Sequence, residues 1–169
     1  MLEPDGDNQV LYQSKGLEYI HLAIEEIRKL SKELVAPRLL ANDLIRCVKQ
    51  LLDDTRLAST LEIIFEYTGE PDFLSNGKQV TLFRILQEQI KNIIKHSKAG
   101  KVQVNLESSP SEIRLTVIDN GIGFDANQTF RGIGLSNIFE RVRYYNGNIK
   151  LDTAPGQGCS LIVTLPGVE

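Results

Sequence analysis

The spacing of apolar residues changes along this chain, and the order of the changes limits the folds that it can adopt. Apolar residues three and four positions apart predict amphipathic helices over about 17–36, 39–52 and 80–96, and another from about residue 135 that ends at Asn146-Gly147. A loop, GEPDFLSNG, is predicted before the third helix, and Ile94 is expected on the apolar side of that helix. Strands are predicted at TLEIIFEYTG, KVQVNLE, EIRLTVID, NIKLDT and CSLIVTL. Turn residues join the last four strands into two hairpins, through SSPS and through Pro155–Gly158.

This order of elements predicts an α+β fold. We expect a two-layer α/β sandwich whose mostly antiparallel mixed sheet is covered on one face by helices and preceded by a helical segment. Residues 1–16 are polar, with an early proline and glycine, and are expected to form a loose N-terminal tail. The helix over 17–36 ends before Pro37, and residues 37–169 are expected to form the main domain.

The composition is that of an ordinary globular domain. Of the 169 residues, 41% are hydrophobic and 24% are charged, and the net charge is −3. Such a charge gives no reason to expect binding to nucleic acid or to an anionic membrane. Cys47 and Cys159 match no metal or redox spacing, which favours a reducing, cytoplasmic setting. No apolar run approaches the ~20 residues of a membrane-spanning helix.

Two Gly-Ile-Gly pairs lie close together in VIDNGIGFDANQTFRGIGLSN. A phosphate-binding P-loop is excluded, because no lysine follows the glycines. A dinucleotide fingerprint is met in a lax form by Gly121, Gly123 and Ala126, but it requires an immediate helix and a parallel sheet. A tight turn at Asp-Asn-Gly explains residues 119–121 and leaves the second pair unexplained.

A nucleotide site uses both pairs. The first pair allows a base to approach the backbone beside Asp119, and the segment 124–131 then forms a short lid. The second pair, Gly132 and Gly134, leads into a helix that begins near Leu135. The free N–H groups and partial positive charge of a helix N-terminus suit a phosphate group.

The helix before the glycines carries polar residues on one narrow face. In RILQEQIKNIIKHS, Glu88, Asn92 and His96 recur at every fourth position, with Lys95 between the last two. A solvated polar face is the simplest explanation. It does not account for an asparagine in mid-helix, which is a mediocre helix former. A carboxylate and an amide oxygen one turn apart suit a magnesium ion held together with nucleotide phosphates.

Together these motifs resemble the catalytic ATP-binding domain of bacterial two-component sensor histidine kinases, which has the Bergerat ATP-binding fold. RILQEQIKNIIKHSKA is similar to the N box of that family, DNGIGFD to its first glycine box, and RGIGLSNIFERV to its second. APGQGCSLIVTLP is similar to its closing Gly-rich hairpin. The upstream IEEIRKLSKELVAPRLL resembles the end of a dimerisation helix, so the resemblance covers about residues 17–166. It implies that 17–36 is a remnant of that helix and 37–169 is the ATP-binding catalytic domain.

The resemblance implies a role for each matching residue, with ATP and Mg²⁺ as cofactors. Glu88 would act as general base or orient the phosphoacceptor histidine, and Asn92 would ligate Mg²⁺. Asp119 would accept a hydrogen bond from the adenine amino group. Two sets complete the nucleotide site: the phosphate neighbours Lys95 and His96, and the backbone that lines the nucleotide at Gly121, Gly123, Gly132, Gly134 and Leu135.

Two features depart from the family pattern. Cys159 stands where the family usually has threonine, which affects one contact on the adenine side because a thiol is a poorer hydrogen-bond partner. A phosphoacceptor motif is also missing, and His21, followed by leucine, is expected to be a surface or dimer-face histidine. The chain is therefore expected to be a fragment that forms a monomer or a weak homodimer.

The expected partners are a phosphoacceptor helix of the parent kinase and a response regulator. The alternative is a free-standing ATP-binding regulator of the same fold, such as an anti-sigma-type serine kinase that binds a partner protein. An ATPase of the topoisomerase, chaperone or mismatch-repair group would need transducer domains that this sequence does not supply. A degenerate scaffold is disfavoured because Glu88, Asn92 and Asp119 are all intact.

Overall fold

A computed structural model describes residues 44–69, 75–125 and 133–167. These ranges contain three helices and five strands. The helices are α1 (Leu44–Ala58), α2 (Asn76–Asn92) and α3 (Ile133–Tyr144). The strands are β1 (Glu62–Gly69), β2 (Lys101–Ser108), β3 (Glu112–Asp119), β4 (Asn148–Thr153) and β5 (Cys159–Pro166).

Several predicted features lie outside these ranges. They are the tail over 1–16, the helix over 17–36 with His21, most of the lid over 124–131, and Gly132. None of the helices within the described ranges is long and apolar enough to span a bilayer.

The five strands form one sheet in the order β1-β2-β3-β5-β4. Strands β1 and β2 run parallel, joined through α2, and every other neighbouring pair is antiparallel. This arrangement confirms the predicted mixed, mostly antiparallel sheet and both hairpins. It excludes a dinucleotide-binding fold, which requires a parallel sheet.

The core lies on one face of the sheet. Alternate residues of the three central strands are buried there, which are Val102, Val104, Leu106, Ile113, Leu115, Val117, Leu161, Val163 and Leu165. All three described helices cover this face: α1 packs on β1, α2 on β3, and α3 on β4 and β5, and α2 contacts both of the other helices. Each buried aliphatic side chain contributes roughly 1.5–3 kcal/mol of burial free energy. The predicted two-layer α/β sandwich is therefore confirmed.

Helix α2 begins earlier than its apolar pattern predicts. The pattern places the start at Val80, whereas the helix begins at Asn76, after Ser75, whose hydroxyl accepts the backbone N–H of Lys78 at 3.4 Å. Gly77, predicted to lie in a loop, is helical. A β-carbon at Gly77 would lie 2.3 Å from the Tyr145 hydroxyl oxygen, so glycine here makes room for that tyrosine.

The end of α2 also differs from the prediction. The α-helix stops at Asn92 and continues as a π-helical turn, Ile93–Ser97, which ends at Lys98 with a φ of 53°. Such wider turns inside helices are rare and are frequent at functional sites. Ile94 was expected on the apolar side of the helix, but it is 55% exposed because the wider turn displaces it from the core.

Helix α1 is longer than predicted and α3 ends as predicted. The expected end of α1 was about Leu52, but the helix reaches Ala58, with Thr55 buried and its hydroxyl donating to the Leu51 carbonyl at 2.7 Å. Beyond α3, Asn146 adopts a φ of 52° and the N–H of Gly147 donates to the Val142 carbonyl at 3.0 Å. This is the left-handed cap expected of Asn-Gly.

Candidate functional site

A cleft of about 570 Å³ lies between the C-terminal half of α2 with its π-helical turn, the segment that follows β3, and the first turn of α3. Eight of the ten predicted site residues line it, which are Glu88, Asn92, Lys95, His96, Asp119, Gly123, Gly134 and Leu135. Of the other two, Gly121 is not among the lining residues and Gly132 lies outside the described residues.

Asp119 lines one end of the cleft. It is the last residue of β3, and only 4% of it is exposed. The backbone N–H of Gly121 donates to its Oδ1 at 2.8 Å, and among the described residues no donor reaches its Oδ2. Burial raises the pKa of this carboxyl group, and the Gly121 hydrogen bond lowers the pKa to a smaller extent. A buried acceptor with one free oxygen suits a ligand that carries an N–H group.

The glycines of the first pair shape the wall beside Asp119. A β-carbon at Gly121 would lie 2.3 Å from the Ser97 carbonyl oxygen and 2.7 Å from Asp119 Oδ1. Gly123 has a φ of +57°, and a β-carbon there would lie 2.1 Å from the Ala154 carbonyl oxygen. The first glycine therefore allows the backbone to pack against α2, and the second allows a left-handed turn into the cleft.

Ile122, between these glycines, is hydrogen-bonded on both sides. Its N–H donates to the Ser97 carbonyl at 2.7 Å, and its carbonyl accepts the N–H of Gly156 at 2.7 Å. The next residues are held by Thr153, whose Oγ1 accepts the N–H of Phe124 at 3.2 Å. The π-helical turn and the β4–β5 loop thus hold the wall of the cleft in place.

The opposite end of the cleft combines a carboxylate, an amide and a helix N-terminus. A β-carbon at Gly134, in the first turn of α3, would lie 2.4 Å from Glu88 Oε1 and 3.5 Å from Asn92 Nδ2. The start of α3 is therefore packed directly against these two side chains. The free N–H groups of a helix start favour an anion at this point.

Basic side chains border the same end. Lys91 Nζ lies 3.7 Å from Glu88 Oε2, while Lys95 and His96 are exposed on the π-helical turn and line the cleft. Cations beside a helix N-terminus suit a ligand with several negative charges, such as a polyphosphate.

The protein side chains at this end could hold a magnesium ion only together with a bound ligand that supplies further oxygen atoms. Throughout 44–69, 75–125 and 133–167, no group of three or more His, Cys, Asp or Glu side chains could hold a metal ion. Mg²⁺ is usually bound through one or two protein oxygens, with waters and substrate phosphates completing its shell. The amide of Asn92 beside the carboxylate of Glu88 matches that requirement.

Gln89 is a cleft residue that the sequence analysis missed. It is 4% exposed, it lines the cleft, and its Nε2 lies 4.0 Å from Cys159 Sγ. A signal was present in the sequence, because residues 82, 86, 89 and 93 form one apolar stripe of α2 that this glutamine interrupts. Cys159, the departure noted from the family pattern, lies opposite Asp119 in the β3–β5 register.

Comparison with known proteins agrees with this geometry. The family model described as histidine kinase-, DNA gyrase B- and HSP90-like ATPase matches residues 77–169. The chain is 33% identical over 166 residues to the sensor histidine kinase LiaS of Bacillus subtilis (strain 168), covering 96% of this chain and 45% of that protein. It is 30% identical over 171 residues to the signal transduction histidine-protein kinase/phosphatase DegS of Brevibacillus brevis, covering 92% of this chain and 44% of that protein.

Solved structures share the fold. The catalytic domain of the histidine kinase ThkA superposes with a TM-score of 0.60 at 20% identity, covering 75% of this chain and 93% of that one. The ATP binding domain of PrrB from Mycobacterium tuberculosis gives 0.54 at 23% identity, covering 76% of this chain and 94% of that one. The chain spans less than half the length of the two curated relatives. It belongs to the histidine kinase-, DNA gyrase B- and HSP90-like ATPase family, and its relatives within that family are sensor histidine kinases.

Proposed function

We propose that this chain is the Mg-ATP-binding catalytic module of a sensor histidine kinase. It transfers the γ-phosphoryl group of ATP to a histidine on a phosphoacceptor helix of the parent kinase, which then passes the group to a response regulator. One observation carries the proposal: Asp119 opens onto the same cleft as Glu88, Asn92 and the N-terminus of α3. An acceptor for a base at one end and groups suited to phosphates at the other match a nucleoside triphosphate.

The base is held at the end that Asp119 lines. Asp119 Oδ2 accepts one hydrogen of the adenine amino group, while Oδ1 stays bonded to the N–H of Gly121. Gly123 and Ile122 form the adjoining wall, where the absence of a side chain on the glycine lets the ring approach the backbone. Burial of the carboxylate strengthens this hydrogen bond, because few waters compete for it.

The phosphates occupy the other end. The N–H groups at the start of α3 contact the phosphate oxygens, and the side chains of Lys95 and His96 lie beside them, where the Lys95 ammonium offsets their charge. The Asn92 amide oxygen would hold Mg²⁺ together with phosphate oxygens. When bound, the ion supplies neutralisation of the charge that develops on the transferred group and on the leaving group.

Glu88 acts on the nucleophile. During transfer, the bond between the γ-phosphorus and the β–γ bridging oxygen breaks, a bond from that phosphorus to one imidazole nitrogen forms, and ADP leaves. The Glu88 carboxylate accepts the hydrogen on the other imidazole nitrogen, which orients the ring and takes up the proton as the ring becomes positive. With a side chain that is 28% exposed, Glu88 remains accessible to a histidine that arrives from outside the cleft.

The comparisons favour a histidine kinase over the anti-sigma-type alternative. The two curated relatives described above carry histidine-kinase names, and they match over more than nine-tenths of this chain. A supplied phosphoacceptor helix that receives phosphate from this module would support the kinase. ATP binding combined with transfer only to a serine of a partner protein would support the alternative.

Calorimetric titration with ATP, with and without Mg²⁺, tests the proposal. The chain should bind ATP more tightly with magnesium, and Asp119→Asn should lose most of that binding, because an amide presents an N–H group toward the adenine amino group. The matched control is Asp54→Asn, which changes an exposed carboxylate on α1 and should bind as the unaltered chain does. Absence of binding at millimolar ATP would refute the proposal.

A further inference from the structure

Gln89 lines the cleft, and its buried amide has no role in the proposed mechanism. Its side chain lies within the wall of the cleft, and its Oε1 is inaccessible to solvent and has no hydrogen-bond partner among the described residues. Buried polar atoms in folded proteins are almost always hydrogen-bonded, so an unpaired one calls for a ligand or a bound water. Oε1 itself is covered by protein atoms, but Gln89 lines the cleft, so a rotation of the amide about its last side-chain bond would turn this oxygen toward a group bound there.

The neighbours of Gln89 place it at the base end. Its Nε2 lies 4.0 Å from Cys159 Sγ, and Cys159 is the register partner of Asp119. Burial, with a contribution from the charge of Asp119, raises the pKa of the Cys159 thiol to about 11, so the thiol is neutral near pH 7. A neutral thiol is a weak hydrogen-bond partner, and it leaves the amide of Gln89 largely unsatisfied.

We propose that Gln89 is a second base-recognition residue, which pairs with the amino edge of the purine directly or through one bound water. This inference rests on the proposed function. An exocyclic amino group carries two hydrogens, and Asp119 Oδ2 takes only one of them. Once its amide has turned toward the cleft, Gln89 Oε1 accepts the other, or accepts from a water bound to the ring edge. A purine without the amino group leaves both acceptors unpaired in a buried site, and such a loss discriminates strongly between ligands.

The test compares two nucleotides in two variants. ATP and the triphosphate of purine riboside differ at the base only in that the latter has hydrogen in place of the amino group. Gln89→Met keeps the length of the side chain and removes its amide. The matched control is Gln79→Met. Gln79 is also a buried glutamine of α2, with 1% of it exposed, but it does not line the cleft. Titration gives the ratio of the two dissociation constants for each protein.

We expect Gln89→Met to weaken ATP binding roughly 3- to 10-fold, as the loss of one hydrogen bond predicts, and to leave the purine riboside triphosphate unaffected. The preference for the amino group should fall by the same factor, and Gln79→Met should leave it unchanged. Thermal unfolding of each variant checks that it is folded. Gln89→Leu provides the same comparison should the methionine variant not fold.

The outcomes separate this inference from the function on which it rests. An unchanged preference in Gln89→Met, with ATP still bound by the unaltered chain, would overturn the role of Gln89 and leave the kinase proposal standing. An equal loss for both nucleotides would also overturn it, because the effect would then not involve the amino group. Failure of the unaltered chain to bind either nucleotide would refute both proposals.

Discussion

The carbonyl oxygen of Ser97 accepts a 2.7 Å hydrogen bond from the backbone N–H of Ile122. This bond joins the last residue of the π-helical turn to the segment between the two glycines of the first pair. The N box and the first glycine box, more than twenty residues apart in sequence, are thus held together through backbone atoms. The geometry of the base end therefore depends on how closely two stretches of backbone approach each other.

Gly121→Ala should break this contact. The added β-carbon would lie 2.3 Å from the Ser97 carbonyl oxygen, and backbone cannot move aside as a flexible side chain can. We expect a loss of about 1–3 kcal/mol in the free energy of unfolding, with weaker ATP binding. The matched control is Gly100→Ala, where a β-carbon meets nothing within 4 Å. Denaturant titration measures the free energy of unfolding of the two variants, and equal values would contradict the proposed contact.

Asn120 should prove to be a structural residue. Its exposed side chain accepts the backbone N–H groups of Gly100 and Lys101 at 3.0 and 2.9 Å, which fixes the start of β2 against the end of β3. Asn120→Ala should lower the free energy of unfolding by about 1–2 kcal/mol, whereas Asn120→Asp, which keeps an oxygen that can accept both bonds, should recover most of it. Chemical denaturation of the unaltered chain and of both variants measures these free energies of unfolding. No difference between the two variants would show that these bonds contribute nothing to stability.

The sequence predicted the architecture because apolar periodicity follows directly from burial on one face. The alternation of Val102 and Val104, or of Leu161 and Val163, reports which side of each strand meets the helices. The helix spacing of Glu88 and Asn92 and the order of the motifs also predicted that these two residues share one cleft with Asp119.

Periodicity could not predict features that depend on contacts distant in the chain. Gly77 indicates a loop by local propensity, yet it is helical, and its lack of a side chain leaves room for Tyr145. The π-helical turn is set by the fit between Ser97 and the glycine segment, so Ile94 was wrongly placed in the core. Gln89 went unrecognised because its neighbour Cys159 lies 70 positions away.

Gly134→Ala should separate stability from function. In the first turn of α3, alanine is a better helix former than glycine by about 1 kcal/mol, so the free energy of unfolding should stay the same or rise. The new methyl group would meet Glu88 Oε1 at 2.4 Å, and that flexible carboxylate would have to swing away. Phosphoryl transfer should fall on the order of 10- to 100-fold because Glu88 is displaced. A Gly134→Ala variant with a lower free energy of unfolding would contradict the view that this glycine serves the position of Glu88 and not stability.

Asp119→Asn should raise stability at neutral pH even though it removes ATP binding. Burial raises the pKa of Asp119 above its unfolded value, so the folded protein binds this proton more tightly than the unfolded chain. The stabilising contribution is present below the unfolded pKa and is lost as the pH rises through the folded pKa. At about pH 7 the ionised carboxylate therefore costs stability, and asparagine removes that cost.

The pH dependence provides the control for this variant. The stability advantage of Asp119→Asn over the unaltered chain should be largest near pH 7 and should shrink as the pH falls through the raised folded pKa toward the ordinary value of 3.8, below which the carboxyl group is protonated in both states. Asp54→Asn, on the exposed face of α1, should show no comparable trend. An advantage that grows on acidification would mean that the folded structure stabilises the ionised form of Asp119.

Glu88→Gln should slow phosphoryl transfer while ATP binding is retained. Glutamine has the same shape but is a far weaker proton acceptor, so the rate of phosphate transfer to a supplied phosphoacceptor helix should fall about 10²- to 10⁴-fold. The affinity for ATP should stay the same or improve, because a negative charge beside the phosphates is removed. Glu140→Gln, an exposed position on α3, is the matched control and should behave as the unaltered chain. A Glu88→Gln variant that transfers phosphate at the unaltered rate would exclude Glu88 as the proton acceptor and leave it as a ligand of the metal or a packing partner of Gly134.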